Sequence, residues 1–251
     1  FDTETTSINA NNAELVGLSF SIKEHEAYYI PIPPDREKAQ EIVNAFKPVL
    51  ENPGIEKIAQ NLKYDMAVLR LYGIEIFGKV FDTMIAHFLL QPEMRHNMDI
   101  MAETYLNYSP VSIEELIGKK GKDQLSMRDV PLPVIVEYAA EDADVTLQLR
   151  NVFDSKLDQS SVRKLFEEVE MPLVKVLTMM EAEGITIDQS VLKELSGILA
   201  TDIQKTEKEI QSMAGTTFNV SSQKQVGEVL FETLKITDKP VKTTTGPYST
   251  G

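Results

Sequence analysis

The chain contains no cysteine, no tryptophan and only three histidines in 251 residues. Without cysteine there is no disulfide scaffold, no thiolate zinc site and no cysteine nucleophile. Long apolar runs are also missing: stretches such as Phe88–Leu90 fall far short of the roughly 18 residues a membrane span needs. No basic-then-apolar leader opens the chain, so no signal peptide is visible; together with the missing cysteine this fits a cytoplasmic protein. Positive charge is scarce. Lys and Arg number 25 against 39 Asp and Glu, a net charge of −14. Residues 1–156 account for −10 of this and 157–251 for −4. Such a chain does not grip duplex DNA by broad counterion release. If nucleic acid is its partner, contact is local and metal ions offset the carboxylates.

What remains is ordinary globular composition, 42% hydrophobic and 25% charged, which excludes a disordered chain, a coiled coil and a collagen-like repeat. The length suits one large or two small domains at about 150 residues each. The opening Phe1-Asp2-Thr3-Glu4-Thr5 has no initiator Met and reads as part of something longer. Residues 15–22 and 27–30 read as strands, 37–50 as a helix with Ile42, Val43, Phe46 and Leu50 on one face. A short strand is expected at 55–60, then helices at 61–72, 82–90, 98–105, 112–117 and 132–154, with 118–122 a loop. From Val162 onward the strand signal vanishes. Three helices fit there, at 161–184, 189–214 and 221–235, with Gly184 and Gly215 ending the first two and Asp188 and Ser221 or Ser222 capping the next. The tail 243–247 reads as loop. Strands first and helices later argue for an α/β layer followed by an all-α segment.

Three short segments carry chemistry. In Asp2-Thr3-Glu4 a strand points both carboxylates to one face, and two like charges at one place are costly unless a cation sits between them. Asn61-Leu62-Lys63-Tyr64-Asp65 lies at a strand-to-helix turn, with Asp65 one turn beyond Asn61. Tyr138 and Asp142 stand at i and i+4 of a helix and share a face. Each segment alone has a plainer reading: a solvated strand end, a helix cap at Asn61, an acidic helix face with Glu137, Glu141 and Asp144. As a set, and with no His or Cys ligand near, they form a hard oxygen donor group that selects Mg²⁺ or Mn²⁺ over Zn²⁺. Four carboxylates from three segments suit a pair of such ions bridging a phosphate.

These motifs make the chain resemble the 3′–5′ proofreading exonuclease domain of the bacterial DNA polymerase I family, family A. Asp2 and Glu4 stand in FDTET, Asn61 and Asp65 in QNLKYD, Tyr138 and Asp142 in YAAEDADVTLQL; FDTM at 81–84, RHNMD at 95–99 and EELIGKKGKDQL at 114–125 match as well. EMPLVKVLTMMEAEGITID at 170–188 and FNVSSQKQVGEVLFE at 218–232 look like the opening helices of the polymerase thumb. The resemblance implies an α/β ribonuclease H-like exonuclease fold, a central mixed sheet flanked by helices, over residues 1–156. An all-α thumb segment would follow over 157–251. Palm and fingers are absent, so DNA synthesis is not expected. The family also has an apolar strand leading into Asp-x-Glu that is missing ahead of Phe1.

The implied reaction is two-metal phosphodiester hydrolysis at a 3′ end, releasing a nucleoside monophosphate. Asp2, Glu4 and Asp142 would hold the first of two divalent cations, Mg²⁺ or Mn²⁺. Asp2 would also touch the second, with Asp65 reaching it directly or through water. Tyr138 would orient the attacking water, since a phenol of pKa about 10 is a poor base at neutral pH, and Glu4 would accept its proton. Single-strand contacts carry over to Gln60, Asn61, Tyr64 and Arg95, and apolar base contacts to Ile8 and Ile113. Core packing for the two isoleucines and a surface ion pair for Arg95 are the competing readings. His25, His87 and His96 receive no catalytic assignment. Lys235, Lys239 and Lys242 against Asp238 make the C-terminal tip basic, where a thumb in the full-length enzyme would meet duplex DNA phosphates. The expected state is a monomer with no membrane partner. Two other functions stay open: an RNA 3′–5′ exonuclease of the ribonuclease D type, against which the segment after 160 counts, and an inactive structural module.

Overall fold

A computed structural model describes residues 1–242, 246, 248 and 249. Thr243, Thr244, Thr245 and Pro247, expected as loop, lie outside the described residues. The chain packs as two units, Phe1–Gly184 and Ile185–Gly251.

In the first unit β1 (Asp2–Thr5), β2 (Leu15–Lys23) and β3 (Glu26–Pro31) form an antiparallel ladder in the order β1-β2-β3. Its register opposes Asp2 to Ser19 and Glu4 to Gly17, with an irregularity between Glu4 and Thr5. Helix α1 (Arg36–Leu50) follows, capped by Asp35 through the Lys38 N–H and burying Ala39, Val43 and Leu50. β4 (Lys57–Ala59) and β5 (Val80–Asp82) pair in parallel across α2 (Leu62–Arg70). The β5 strand has no expectation behind it from sequence, because three residues are too few for periodicity. The nitrogen of Phe1 donates to the Ile58 carbonyl at 2.8 Å, so β4 lies beside the start of β1 and the two ladders meet there. The antiparallel and parallel strands thus stand in two small sheets, of three and two strands.

Helices α3 (Thr83–Leu90), α4 (Met98–Leu106) and α5 (Ile113–Ile117) lead to α6 (Leu132–Asp158), 27 residues long. Helix α6 packs on β2 and β3 and buries Ile135, Ala139, Asp142, Ala143, Thr146 and Leu149 along its length. The main core joins Leu15, Leu18, Leu62, Leu69, Phe81, Leu149 and Phe153. Beyond α6 the chain stays helical, through α7 (Arg163–Leu165), a π-helical turn (Phe166–Glu170) and α8 (Met171–Glu183). Phe166, Met171 and Val174 belong to the same core, which is why this stretch packs with the first unit.

The second unit holds α9 (Gln189–Ala214), α10 (Gln223–Glu228) and a π-helical turn (Val229–Thr233). Asp188 caps α9 through the Ser190 and Val191 N–H groups, and Ser222 caps α10 through that of Gln225. Gly184 and Gly215, both at positive φ, end α8 and α9 as expected of residues without a Cβ.

Candidate active site

Strand alternation turns Asp2 and Glu4 to the same side of β1, and that side meets α6. Asp142, buried in the middle of α6, joins them: one carboxylate oxygen from each of the three lies within 4.8 Å of the others. Glu4 is only 6% exposed, and its Oε1 has no hydrogen-bond partner among the described residues. A buried carboxylate oxygen left unpaired is costly, and a cation relieves that cost. Burial raises the proton affinity of all three groups, and their mutual repulsion adds to it for Glu4 and Asp142. Asp2 is pushed up to about 6, with the neighbouring amino group and a backbone hydrogen bond working against the shift. Donors of oxygen alone, close, buried and mutually repelling, fit a hard divalent cation.

Asp65 is set slightly apart. It is 2% exposed on the first turn of α2, and its Oδ1 accepts a hydrogen bond from the Thr3 hydroxyl at 2.6 Å. Alternation points Thr3 away from Asp2 and Glu4, so the residue between the two cluster ligands holds the fourth carboxylate. Burial and then the charge of Asp2 push Asp65 up, while the Thr3 bond favours its ionised form. Tyr138 stands one turn before Asp142, whose carboxylate acts on the phenol. Burial first, then the charges of Asp142 and Glu4, raise its pKa further. The phenol therefore keeps its proton at neutral pH and acts as a donor, not a base.

Asp82 does work the sequence reading did not assign. Its carboxylate accepts from the N–H groups of Leu62 at 2.8 Å and Met84 at 2.9 Å, and more distantly from Asn61 and Ile85. One buried side chain thus ties the starts of α2 and α3 together and fixes where Asp65 sits. The signal was present as an Asp immediately before a helical run. Asn61 makes no side-chain cap bond; it adopts left-handed backbone, φ 60°, a conformation asparagine tolerates better than most residues. Its exposed side chain is free of the capping duty considered for it.

The remaining candidates divide by exposure. Ile8 is 91% exposed on the loop after β1, which removes core packing as its explanation. Ile113 is 44% exposed at the start of α5. The Tyr64 hydroxyl is bound to the Ser7 carbonyl and Thr5 hydroxyl, so Tyr64 holds the loop that presents Ile8. Gln60 donates to the His96 carbonyl at 2.9 Å and accepts from Thr83. His96 contacts buried His87, Nδ1 to Nδ1, at 2.8 Å. Both contacts anchor His96, the residue after Arg95; Arg95 is exposed and makes no ion pair among the described residues. Glu141 and Asp144 are occupied elsewhere: Glu141 accepts from Tyr108 and the Val111 N–H, Asp144 from the His25 N–H. No helix of the described residues is long and apolar enough to cross a membrane.

A family model described as 3′–5′ exonuclease matches residues 1–158. The chain belongs to this exonuclease family. A second model, DNA polymerase family A, matches residues 189–251. Among curated relatives, DNA polymerase I of Pseudomonas aeruginosa is 38% identical over 262 residues, covering 100% of this chain and 28% of that protein. DNA polymerase I of Rhizobium leguminosarum is 36% identical over 274 residues, covering 100% and 27%. The chain therefore spans little more than a quarter of these relatives. A solved structure, the POL domain of Pol1 from M. smegmatis in complex with DNA primer-template and dNTP, is similar at a TM-score of 0.75. It is 25% identical and matches over 99% of this chain and 39% of its own. The α/β first unit and helical second unit are those of a 3′–5′ exonuclease domain followed by polymerase sequence, and the resemblance read from the motifs holds.

Proposed function

We propose that this chain removes nucleotides from the 3′ end of single-stranded DNA, releasing nucleoside monophosphates, as the proofreading part of a DNA polymerase I. The observation that carries this reading is the convergence of Asp2, Glu4 and Asp142, with Glu4 Oε1 left without a hydrogen-bond partner. Asp2, Glu4 and Asp142 would hold one divalent cation, and Asp2 with Asp65 would serve a second; Mg²⁺ or Mn²⁺ suits an all-oxygen donor set. When bound, such a pair supplies an activated water and stabilises charge on the leaving oxygen.

The chain's own residues do the rest. Tyr138, a protonated phenol beside Asp142, positions the attacking water by hydrogen bond. Water adds to phosphorus, and the P–O3′ bond breaks with its electron pair going to the 3′ oxygen, which then takes a proton. Thr3 holds Asp65 in place and favours its ionised form. Ile8, projecting from a loop that Tyr64 pins, presses against the terminal base, with Ile113 as a second apolar contact. Asn61 and Gln60 line the path of the strand, and Arg95 contacts a phosphate. Residues 1–156 carry this activity, and 157–251 form the opening of a polymerase thumb whose basic tip, Lys235, Lys239 and Lys242, meets duplex DNA. The enzyme works as a monomer in the cytoplasm.

Incubating a 5′-labelled single strand with Mn²⁺ tests the reading: products shortened one nucleotide at a time from the 3′ end support it. A 3′-blocked strand degraded equally well would defeat it. An RNA strand of the same sequence separates DNA proofreading from an RNA exonuclease.

A further inference from the structure

One tyrosine near the carboxylates, Tyr29, takes no part in the chemistry proposed for them. Gly17 lies opposite Glu4 in the β1–β2 register, so their side-chain positions share a face. Gly17 has no side chain, and Tyr29 fills the space: a Cβ built on residue 17 would fall 2.1 Å from the Tyr29 hydroxyl oxygen and 2.2 Å from its ring. Tyr29 itself pairs with Ser19, which pairs with Asp2. The phenol therefore lies across the same face of the sheet as both ligand carboxylates. After burial, the charge of Glu4 is the strongest influence on Tyr29. Tyr29 and Tyr138 also pack on one small cluster formed by Val16, Met127, Val130 and Ile135.

The hydrogen bonding at this point is unbalanced. The Tyr29 hydroxyl donates to the Val16 carbonyl at 3.2 Å. That carbonyl already accepts the Ile32 N–H at 2.8 Å, so the hydroxyl is a second and longer donor there. Glu4 Oε1, across the strand pair, has none.

We propose that Tyr29 is a positioning residue for Glu4. Its ring walls the carboxylate in over Gly17, and its hydroxyl turns from Val16 to Glu4 Oε1, fixing Glu4 for cation binding. Hydrogen-bond partners of metal-ligating carboxylates orient them in this way, and their loss typically costs about 10–100-fold in metal affinity or activity. The glycine at 17 follows from the same arrangement, because a Cβ there would expel the phenol. This inference rests on the exonuclease reading above.

Calorimetric titration of the 251-residue chain with Mn²⁺ alone tests it, using wild type, Tyr29→Phe, Glu4→Gln and the double variant. Tyr29→Phe should weaken Mn²⁺ binding about tenfold or more, with kcat falling and KM for single-stranded DNA unchanged. On the Glu4→Gln background the same substitution should weaken binding no further, because Tyr29 acts through Glu4. Gly17→Ala, which keeps the hydroxyl but displaces the ring, should reproduce the loss. Tyr28→Phe, at an exposed neighbour whose hydroxyl meets Glu26, should leave binding at the wild-type value. Tyr29→Phe or Gly17→Ala binding Mn²⁺ like wild type would overturn the proposal, as would full additivity with Glu4→Gln. A wild-type chain that binds no Mn²⁺ would remove the exonuclease reading as well, a result distinct from either.

Discussion

Thr3 and Asp65 are 62 residues apart in sequence, and the threonine hydroxyl donates to the aspartate Oδ1 across 2.6 Å in a buried setting. The middle residue of Asp-x-Glu is therefore not a spacer: it aims one way at α2 while its neighbours aim the other way at α6. Hydrogen bonds to charged groups contribute about 1.5–3 kcal/mol. Thr3→Val should raise the proton affinity of Asp65 and shift the Mn²⁺ concentration for half-maximal cleavage upward, by about tenfold. Thr3→Ser should keep the wild-type requirement. A Thr3→Val variant with unaltered metal dependence would show that Asp65 needs no such support.

Metal and stability are linked. The unfolded chain separates the carboxylate-bearing segments, so a cation binds the native state preferentially. Stability should rise by about 2.7 kcal/mol at a hundredfold excess of Mn²⁺ over Kd. Replacing Asp2 and Glu4 together with Ala should erase the gain and raise the metal-free melting temperature, because the repulsion is gone. If the double variant is stabilised as much as wild type in a Mn²⁺ melt series, the ion is only screening a net charge of −14.

The same groups set a pH dependence. Asp2 moves up from the ordinary carboxylate value to about 6, and Glu4, Asp65 and Asp142 move upward too. The folded state then binds protons more tightly than the unfolded one, so their contribution is greatest at low pH and is lost as pH rises. Without metal, stability should fall as pH climbs from about 4 through about 6 and beyond. Mn²⁺ replaces the protons and should flatten that fall. Denaturant melts at pH 4.5, 6 and 7.5, with and without Mn²⁺, measure the slope; a metal-free protein gaining stability across this range would reverse the sign.

Arg95 gives a different signature. It is exposed, without an ion pair among the described residues, and directly precedes His96, which Gln60 and His87 anchor. Arg95→Ala should raise KM for single-stranded DNA while leaving Mn²⁺ affinity alone. The difference from wild type should shrink with added salt, as expected when one phosphate contact is lost. An unchanged KM at low salt would mean that Arg95 does not touch the strand.

The local part of the site was legible because its rules are local. Alternation in a strand places Asp2 with Glu4, and a helical turn places Tyr138 with Asp142. Cooperation between segments was not. The Thr3–Asp65 bond and the Asp82 bonds to the Asn61 and Leu62 N–H groups join residues far apart in sequence, the seat of Tyr29 over Gly17 depends on strand register, and no periodicity marks them. The short β5 strand escaped for want of length. Ile8 is ambiguous by residue type, because an isoleucine after a strand reads as core until 91% exposure shows otherwise. Asn61 looked like a cap and instead supplies a left-handed turn, a choice between two common uses of asparagine that only the backbone decides.

Asp142→Ala is the most direct test of the carboxylate cluster, because it removes one cation ligand and leaves α6 with a strong helix former. The assay follows a 5′-labelled single-stranded DNA with Mn²⁺, comparing wild type with the variant at equal folded concentration. Wild type should shorten the strand stepwise from the 3′ end, and Asp142→Ala, with its fold intact by circular dichroism, should not shorten it at all. Equal shortening by the two proteins would contradict it.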